Sequence, residues 1–249
     1  MANFGMSIGF YGRGAIAANV IIYLVQMMFF SGEIHVALVF GFNYQSIVSA
    51  NQYYRILTAA FSHAGFAHIL FNMCWLAIFS VRLERVYGTY FFMIVNLWLM
   101  ALSSALELLY DHVRVFWLPE SLGGGALELL VAYSVGYSAV LFGLVMLECL
   151  SGDKHLVIYG CKVRKILLPF AYLFFSQIIV PNASLIGHLS GIISALILRY
   201  GGMYMCRLLP QYTWLEPIES AFSASRRELH KKLGYFYATA VIEKDFALC

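Results

Sequence analysis

The chain has 249 residues, of which 61% are hydrophobic and 12% charged, with a formal net charge of +3 and a mean hydropathy of +0.77. Soluble domains are about one quarter charged, so this composition excludes an ordinary water-soluble globule and points to an all-α, polytopic membrane bundle. The small positive excess gives no support to a nucleic-acid partner.

The predicted elements are apolar stretches of about 17 to 22 residues, each long enough, at about 1.5 Å per residue, to cross a hydrocarbon core of about 30 Å. Six spans are predicted, over 14–31, 62–81, 89–110, 132–150, 165–181 and 184–200. The first follows Arg13 and shows no small-residue cleavage site before the next polar stretch, so it is expected to be retained rather than removed as a signal. Residues 31–61 mix Phe, Tyr, Val and Ile with few charges and have the character of a loop that dips into the bilayer interface. Residues 111–131, with Trp117, Pro119 and the run Gly123-Gly124-Gly125, are expected to form an interfacial stretch ending in a flexible link. The chain thus divides into a six-span membrane domain, 1–200, and a cytosolic tail, 201–249. In the tail, Arg226, Arg227, Lys231 and Lys232 cluster around Phe222, Leu229 and Leu233 at amphipathic-helix spacing. An anionic leaflet or a cytosolic protein partner would each suit that face.

An even number of spans leaves both termini on one side. The N-terminus, the loop with Arg82 and Arg85, the loop from Lys154 to Lys165 and the tail from Arg199 hold 14 of the 16 basic residues, with Arg55 and Arg114 the exceptions. Cytosolic loops collect Lys and Arg, so both termini are expected in the cytosol. The five cysteines, Cys74, Cys149, Cys161, Cys206 and Cys249, form no C-x-x-C pair. Neither a disulfide nor a metal site is expected of them.

Polar side chains inside spans are costly and mark functional interiors. Five stand out: His63, His68, Asn72, Ser138 and His188. A lone Ser in a span is commonly a packing residue bonded to its own helix. Depth, however, links Ser138 with His188. Ser138 lies ten residues before Glu148 and His188 eleven before Arg199, which sets each about 15 Å above the cytosolic boundary if helical. Gly136, Ala139 and Gly143 on the fourth span, and His188, Gly191 and Ala195 on the sixth, form small-residue stripes that let backbones approach closely. A Ser hydroxyl needs an adjacent base, and neutral His suits that role near neutral pH. His68 and Asn72, four residues apart, share a helix face and can both donate to an oxyanion. His63 points elsewhere or precedes the helix. Three histidines and an asparagine could also be read as a metal site. But no H-E-x-x-H occurs, Asn is a poor zinc ligand, and the spacing sets no span carboxylate at matching depth, so no metal or other cofactor is expected.

Three separated motifs resemble those of the rhomboid family of intramembrane serine proteases. They are Tyr54-Arg55 followed by His63-x4-His68-x3-Asn72; Leu83-Glu84-Arg85-x-Tyr87-Gly88; and the pair Gly136-Tyr137-Ser138-Ala139 with Gly187-His188-x-x-Gly191. The likeness covers roughly residues 14–200 and is greatest to the compact six-span eukaryotic rhomboids of the endoplasmic reticulum. It implies that Ser138 attacks the scissile carbonyl and that His188 is base and then acid. His68, Asn72 and the Ser138 N–H would bind the oxyanion, and His63 would be structural or water-positioning. Glu84, Arg85 and Gly88 would brace the first membrane-embedded loop. Substrates would be single-span membrane proteins reached through the lipid, cleaved near the non-cytosolic end of their helix. The location implied is the endoplasmic reticulum or another endomembrane rather than the plasma membrane. Departures from the family pattern are Ala139, Ala195 and Tyr54, where Gly, Gly and Trp are common. Each keeps size or aromatic character. The contrasting expectation is a catalytically inactive rhomboid-like protein that binds membrane clients for degradation or trafficking; such proteins typically lack the Ser or the His, and both are present here.

Overall fold

The computed structural model describes residues 8–30, 33–84, 88–117, 132–151, 154–158, 161–180 and 183–208. In chain order the helices are α1 (Phe10–Phe29), α2 (Glu33–Phe40), α3 (Tyr44–Val48), α4 (Arg55–Phe61), α5 (Phe66–Phe79), α6 (Thr89–Phe116), α7 (Ser138–Leu150), α8 (Leu168–Ile179) and α9 (Leu185–Leu208). A π-turn, Ser80–Glu84, extends α5, and a 3-10 turn, Lys165–Leu167, leads into α8. Residues Met1–Ala195 make one compact unit and Leu196–Cys249 a second, of which only the end of α9 is described. The basic tail segment 220–236 lies outside the described residues.

Three helices are long and apolar enough to cross a membrane, Phe10–Phe29, Phe66–Glu84 and Thr89–Phe116, and three shorter apolar helices accompany them. The partition of side chains is the reverse of a soluble protein's. Met28, Phe29, Phe66, Phe71 and Ile179 are exposed, while Asn19, Gln26, Asn72, Asn96 and Ser194 are buried. Where lipid replaces water, each buried polar group needs an internal partner. Several find it one turn back: the amides of Asn19, Asn72 and Asn96 donate to the carbonyls of Ala15, His68 and Phe92, and Ser194 to that of Ser190. On α6 the buried residues Phe92, Val95, Asn96, Leu99, Met100 and Ser103 recur at the three-and-four spacing of a single inward face.

The loop between the first two spans is not irregular. It folds as α2, α3 and α4 around a small core of Phe42, Ile47 and Ala59. Arg55 is buried within it and donates through Nη1 to the Gly41 carbonyl and through Nη2 to the Leu38 carbonyl, both at 2.8 Å, and through Nε to Gln52 at 2.6 Å. Arg55 therefore braces this loop.

Glu84 has a different task. α1 starts at Gly9 with no side-chain cap and no acid in its first turn, so its first N–H groups lack partners. The buried Glu84 carboxylate supplies them, accepting from Tyr11 N at 2.8 Å and Gly12 N at 3.0 Å, and from Thr89 Oγ1 at 2.8 Å. Glu84 thus ties α5, α1 and α6 together through these bonds, where the resemblance had implied a brace for the first loop. Glu84→Ala strands buried donors and is expected to cost about 1–3 kcal/mol of stability. Glu84→Gln, which keeps an acceptor oxygen, should lose less. Unfolding midpoints in detergent micelles check both. Gly88 caps α6 with φ +82, a conformation that favours glycine, and Arg85 lies outside the described residues.

The fourth apolar stretch departs most from expectation. Helix was expected from 132, but α7 begins at Ser138, and residues 132–137 run up to it without helix. Phe42 and Ser134 exchange backbone hydrogen bonds at 2.8 and 3.0 Å, and Gly136 N donates to the Ala59 carbonyl at 2.8 Å. Non-helical backbone survives at membrane depth only with such partners. Gly136 turns the chain with φ +118. The 111–131 stretch also differs: α6 continues through Phe116, and 118–131 lie outside the described residues. An antiparallel hairpin, β1 (His155–Ile158) with β2 (Cys161–Arg164), occupies the basic loop after α7.

Candidate active site

Ser138 is the first residue of α7, so its side chain and its N–H both stand at a helix N-terminus. His188 lies in the first turn of α9, and its Nε2 is 2.9 Å from Ser138 Oγ. The His188 ring stacks on Phe142, with centroids 4.4 Å apart and planes at 29°. Phe142 is one turn beyond Ser138, so α7 presents both the hydroxyl and the surface that holds the imidazole flat beside it. His188 is buried, and its Nδ1 has no hydrogen-bond partner among the described residues.

The helices meet through their small residues. A Cβ at Gly191 would run into the Ala139 carbonyl, and one at Gly143 would lie 2.8 Å from a Leu99 methyl and 3.0 Å from the Gly191 carbonyl. Ala139, Gly143 and Gly191 are therefore the crossing point; Gly136 precedes the helix and serves the turn instead. Because backbone cannot yield as a side chain does, Gly191→Ala is expected to destabilise the bundle by about 1–3 kcal/mol. Gly143→Ala, which first meets a flexible leucine, should cost less when the two unfolding midpoints are compared.

His68 and Asn72, one turn apart, share a face of α5. A Cβ at Gly136 would sit 2.6 Å from His68 Nε2, so the imidazole occupies the space a side chain would take, two residues from Ser138. His63 precedes α5 and is fully buried, with its ring edge-on to His68 at 5.1 Å. His68 is held between His63 and Gly136. Asn72 is buried and spends one amide N–H on the His68 carbonyl at 2.8 Å. The structure thus gathers His63, His68, Gly136, Ser138, His188 and Gly191 into one region, sets Asn72 one turn beyond His68 on α5, and ties Glu84 to α1 and Thr89 instead.

Two groups had no assigned chemistry. Tyr137, fully buried next to the serine, donates to Asn96 Oδ1 at 2.9 Å and lies 3.2 Å from the Tyr11 hydroxyl. Glu107 of α6 reaches the segments leading to both Ser138 and His188. The sequence spacing had set no span carboxylate at this depth, and Glu107 corrects that. An acid inside an apolar run was the available signal.

Residues 50–205 match the Rhomboid family as a rhomboid domain. The chain belongs to the rhomboid family. With its long apolar helices, this rhomboid is an integral membrane protein. It is similar to Rhomboid-like protein 15 of Arabidopsis thaliana, 30% identical over 190 residues, which are 71% of this chain and 43% of that one. It is also similar to Rhomboid-like protein 14, mitochondrial, of the same plant, 28% identical over 198 residues, 76% of this chain and 55% of the relative. RHOMBOID-like protein 2, again from Arabidopsis thaliana, is 26% identical over 207 residues, 80% of this chain and 55% of the relative. The rhomboid described here spans about half the length of these relatives.

Proposed function

We propose that this rhomboid is an intramembrane serine endopeptidase that cleaves single-span membrane proteins by means of Ser138 and His188. The observation that carries the reading is the 2.9 Å contact between His188 Nε2 and Ser138 Oγ at a helix N-terminus. In the neutral His188 tautomer protonated at Nδ1, Nε2 accepts the Ser138 hydroxyl proton as Oγ attacks the scissile carbonyl. The tetrahedral oxyanion then forms beside the Ser138 N–H, where the α7 N-terminus favours negative charge. His68 and Asn72 are the side-chain donors on the opposite helix. His188 next gives its proton to the leaving amine, and water repeats the sequence on the acyl-enzyme. No carboxylate bonds His188 Nδ1 among the described residues, so the chemistry is that of a dyad.

Six spans with both termini cytosolic would set this site toward the non-cytosolic face, since the basic residues concentrate on the other side. Substrate helices would enter from the lipid and open near their non-cytosolic ends. We further propose residence in the endoplasmic reticulum or another endomembrane. The word mitochondrial in one relative's name supplies the competing location, and imaging of the tagged full chain against markers of both decides it.

A fluorophosphonate probe should label the purified wild type in detergent and leave Ser138→Ala unlabelled. A wild type that stays unlabelled where another rhomboid reacts would overturn the protease reading in favour of a client-binding protein.

A further inference from the structure

α6 carries Glu107 inside the apolar run Ala105-Leu106-Glu107-Leu108-Leu109, where an acid is costly and needs a reason. Its Oε1 accepts hydrogen bonds from Ser134 Oγ at 3.1 Å and Ser184 Oγ at 3.2 Å. These two serines stand in equivalent places. Ser134 lies four residues before Ser138, in the non-helical segment that delivers the nucleophile. Ser184 lies four residues before His188 and caps α9, accepting from Gly187 N at 2.9 Å, while its carbonyl accepts from His188 N at 3.1 Å. Gly187 itself faces the acid: a Cβ there would lie 3.4 Å from each carboxylate oxygen. One side chain therefore joins the segment carrying the serine to the cap of the helix carrying the histidine.

We infer that Glu107 is a positioning residue that sets the Ser138–His188 separation by tethering Ser134 and Ser184 to one carboxylate oxygen. The inference rests on the serine-protease reading above. Glu107 is not a third member of a catalytic triad, since its bonds go to the two serine hydroxyls and not to His188 Nδ1. Its effect is geometric. The nucleophile's segment keeps its pairing with Phe42 and Ala59, and α9 keeps its crossing at Gly191, but among the described residues Glu107 is the side chain that bonds to both approaches. A displacement of about 1 Å at reacting groups can cost about 10²-fold in rate.

The test is saturable labelling by a fluorophosphonate, which separates probe binding, KI, from the attack of Ser138, kinact. Glu107→Ala is expected to lower kinact by about 10²-fold with KI unchanged, and Glu107→Gln, whose amide oxygen can accept from both serines, to restore most of it. The Ser134→Ala/Ser184→Ala double variant should lose as much as Glu107→Ala, and adding Glu107→Ala to it should cost nothing more, because groups acting through one contact are not additive. Should Glu107→Ala fail to fold, the serine double variant decides. Wild-type kinact in Glu107→Ala or in the double variant overturns the inference, as do losses that multiply or a Gln variant as slow as Ala. A wild type that never labels overturns the protease reading, and this inference with it.

Discussion

His188→Ala is expected to lower turnover of a single-span substrate by about 10⁴-fold or more, and Ser138→Ala/His188→Ala to be no slower than either single variant. The base and the nucleophile act as one unit: without Nε2 to take its proton, the Ser138 hydroxyl is a weak nucleophile, and without the hydroxyl the imidazole has nothing to activate. Loss of either therefore removes the same step. Ser138→Ala should unfold close to wild type, because it loses one hydrogen bond, a net stabilisation of about 1 kcal/mol, whereas His188→Ala also loses the buried stacking on Phe142 and should unfold earlier. The measurement is turnover of a reconstituted single-span substrate by wild type and the three variants. Losses that multiply in the double variant would mean that the two side chains act independently, and the 2.9 Å contact would then have no catalytic meaning.

The Ser138–His188 pairing was legible in the sequence because helices convert residue counts into depth. Ten and eleven residues from the nearest charges, together with small-residue stripes, suffice to bring two spans together at one level, and Ala139, Gly143 and Gly191 form that crossing. What escaped depends on partners remote in sequence. The apolar run from 132 reads as helix by hydropathy, yet its first residues are held open by bonds from Ser134 to Phe42 and from Gly136 to Ala59, 92 and 77 positions earlier in the chain. Helical periodicity carries no mark of such pairing. The Glu84 cap on α1 joins residues 72 and 73 positions apart, and Arg55 bonds backbone carbonyls, which every residue possesses. Glu107 is the instructive case. Its type and setting were visible as an acid in a span, but the two serines that give it a role lie 27 and 77 positions away.

The oxyanion donors carry the second large expected effect. Asn72→Ala and His68→Ala should each lower kcat by about 10²- to 10³-fold, the scale for removing one preorganised donor, with KM little changed because the bond is made in the transition state. The two differ in what else they disturb. Asn72 spends one amide N–H on the His68 carbonyl, so its other N–H is the one available, and Asn72→Ala removes both. His68 fills the room over Gly136, so His68→Ala also loosens the turn into α7 and should lose some stability besides. A charge-neutral replacement that keeps the ring's bulk, His68→Phe, separates the effects: it should recover the stability and not the rate. Equal turnover in wild type, Asn72→Ala and His68→Phe would leave the Ser138 N–H and the α7 N-terminus as the whole of the oxyanion site.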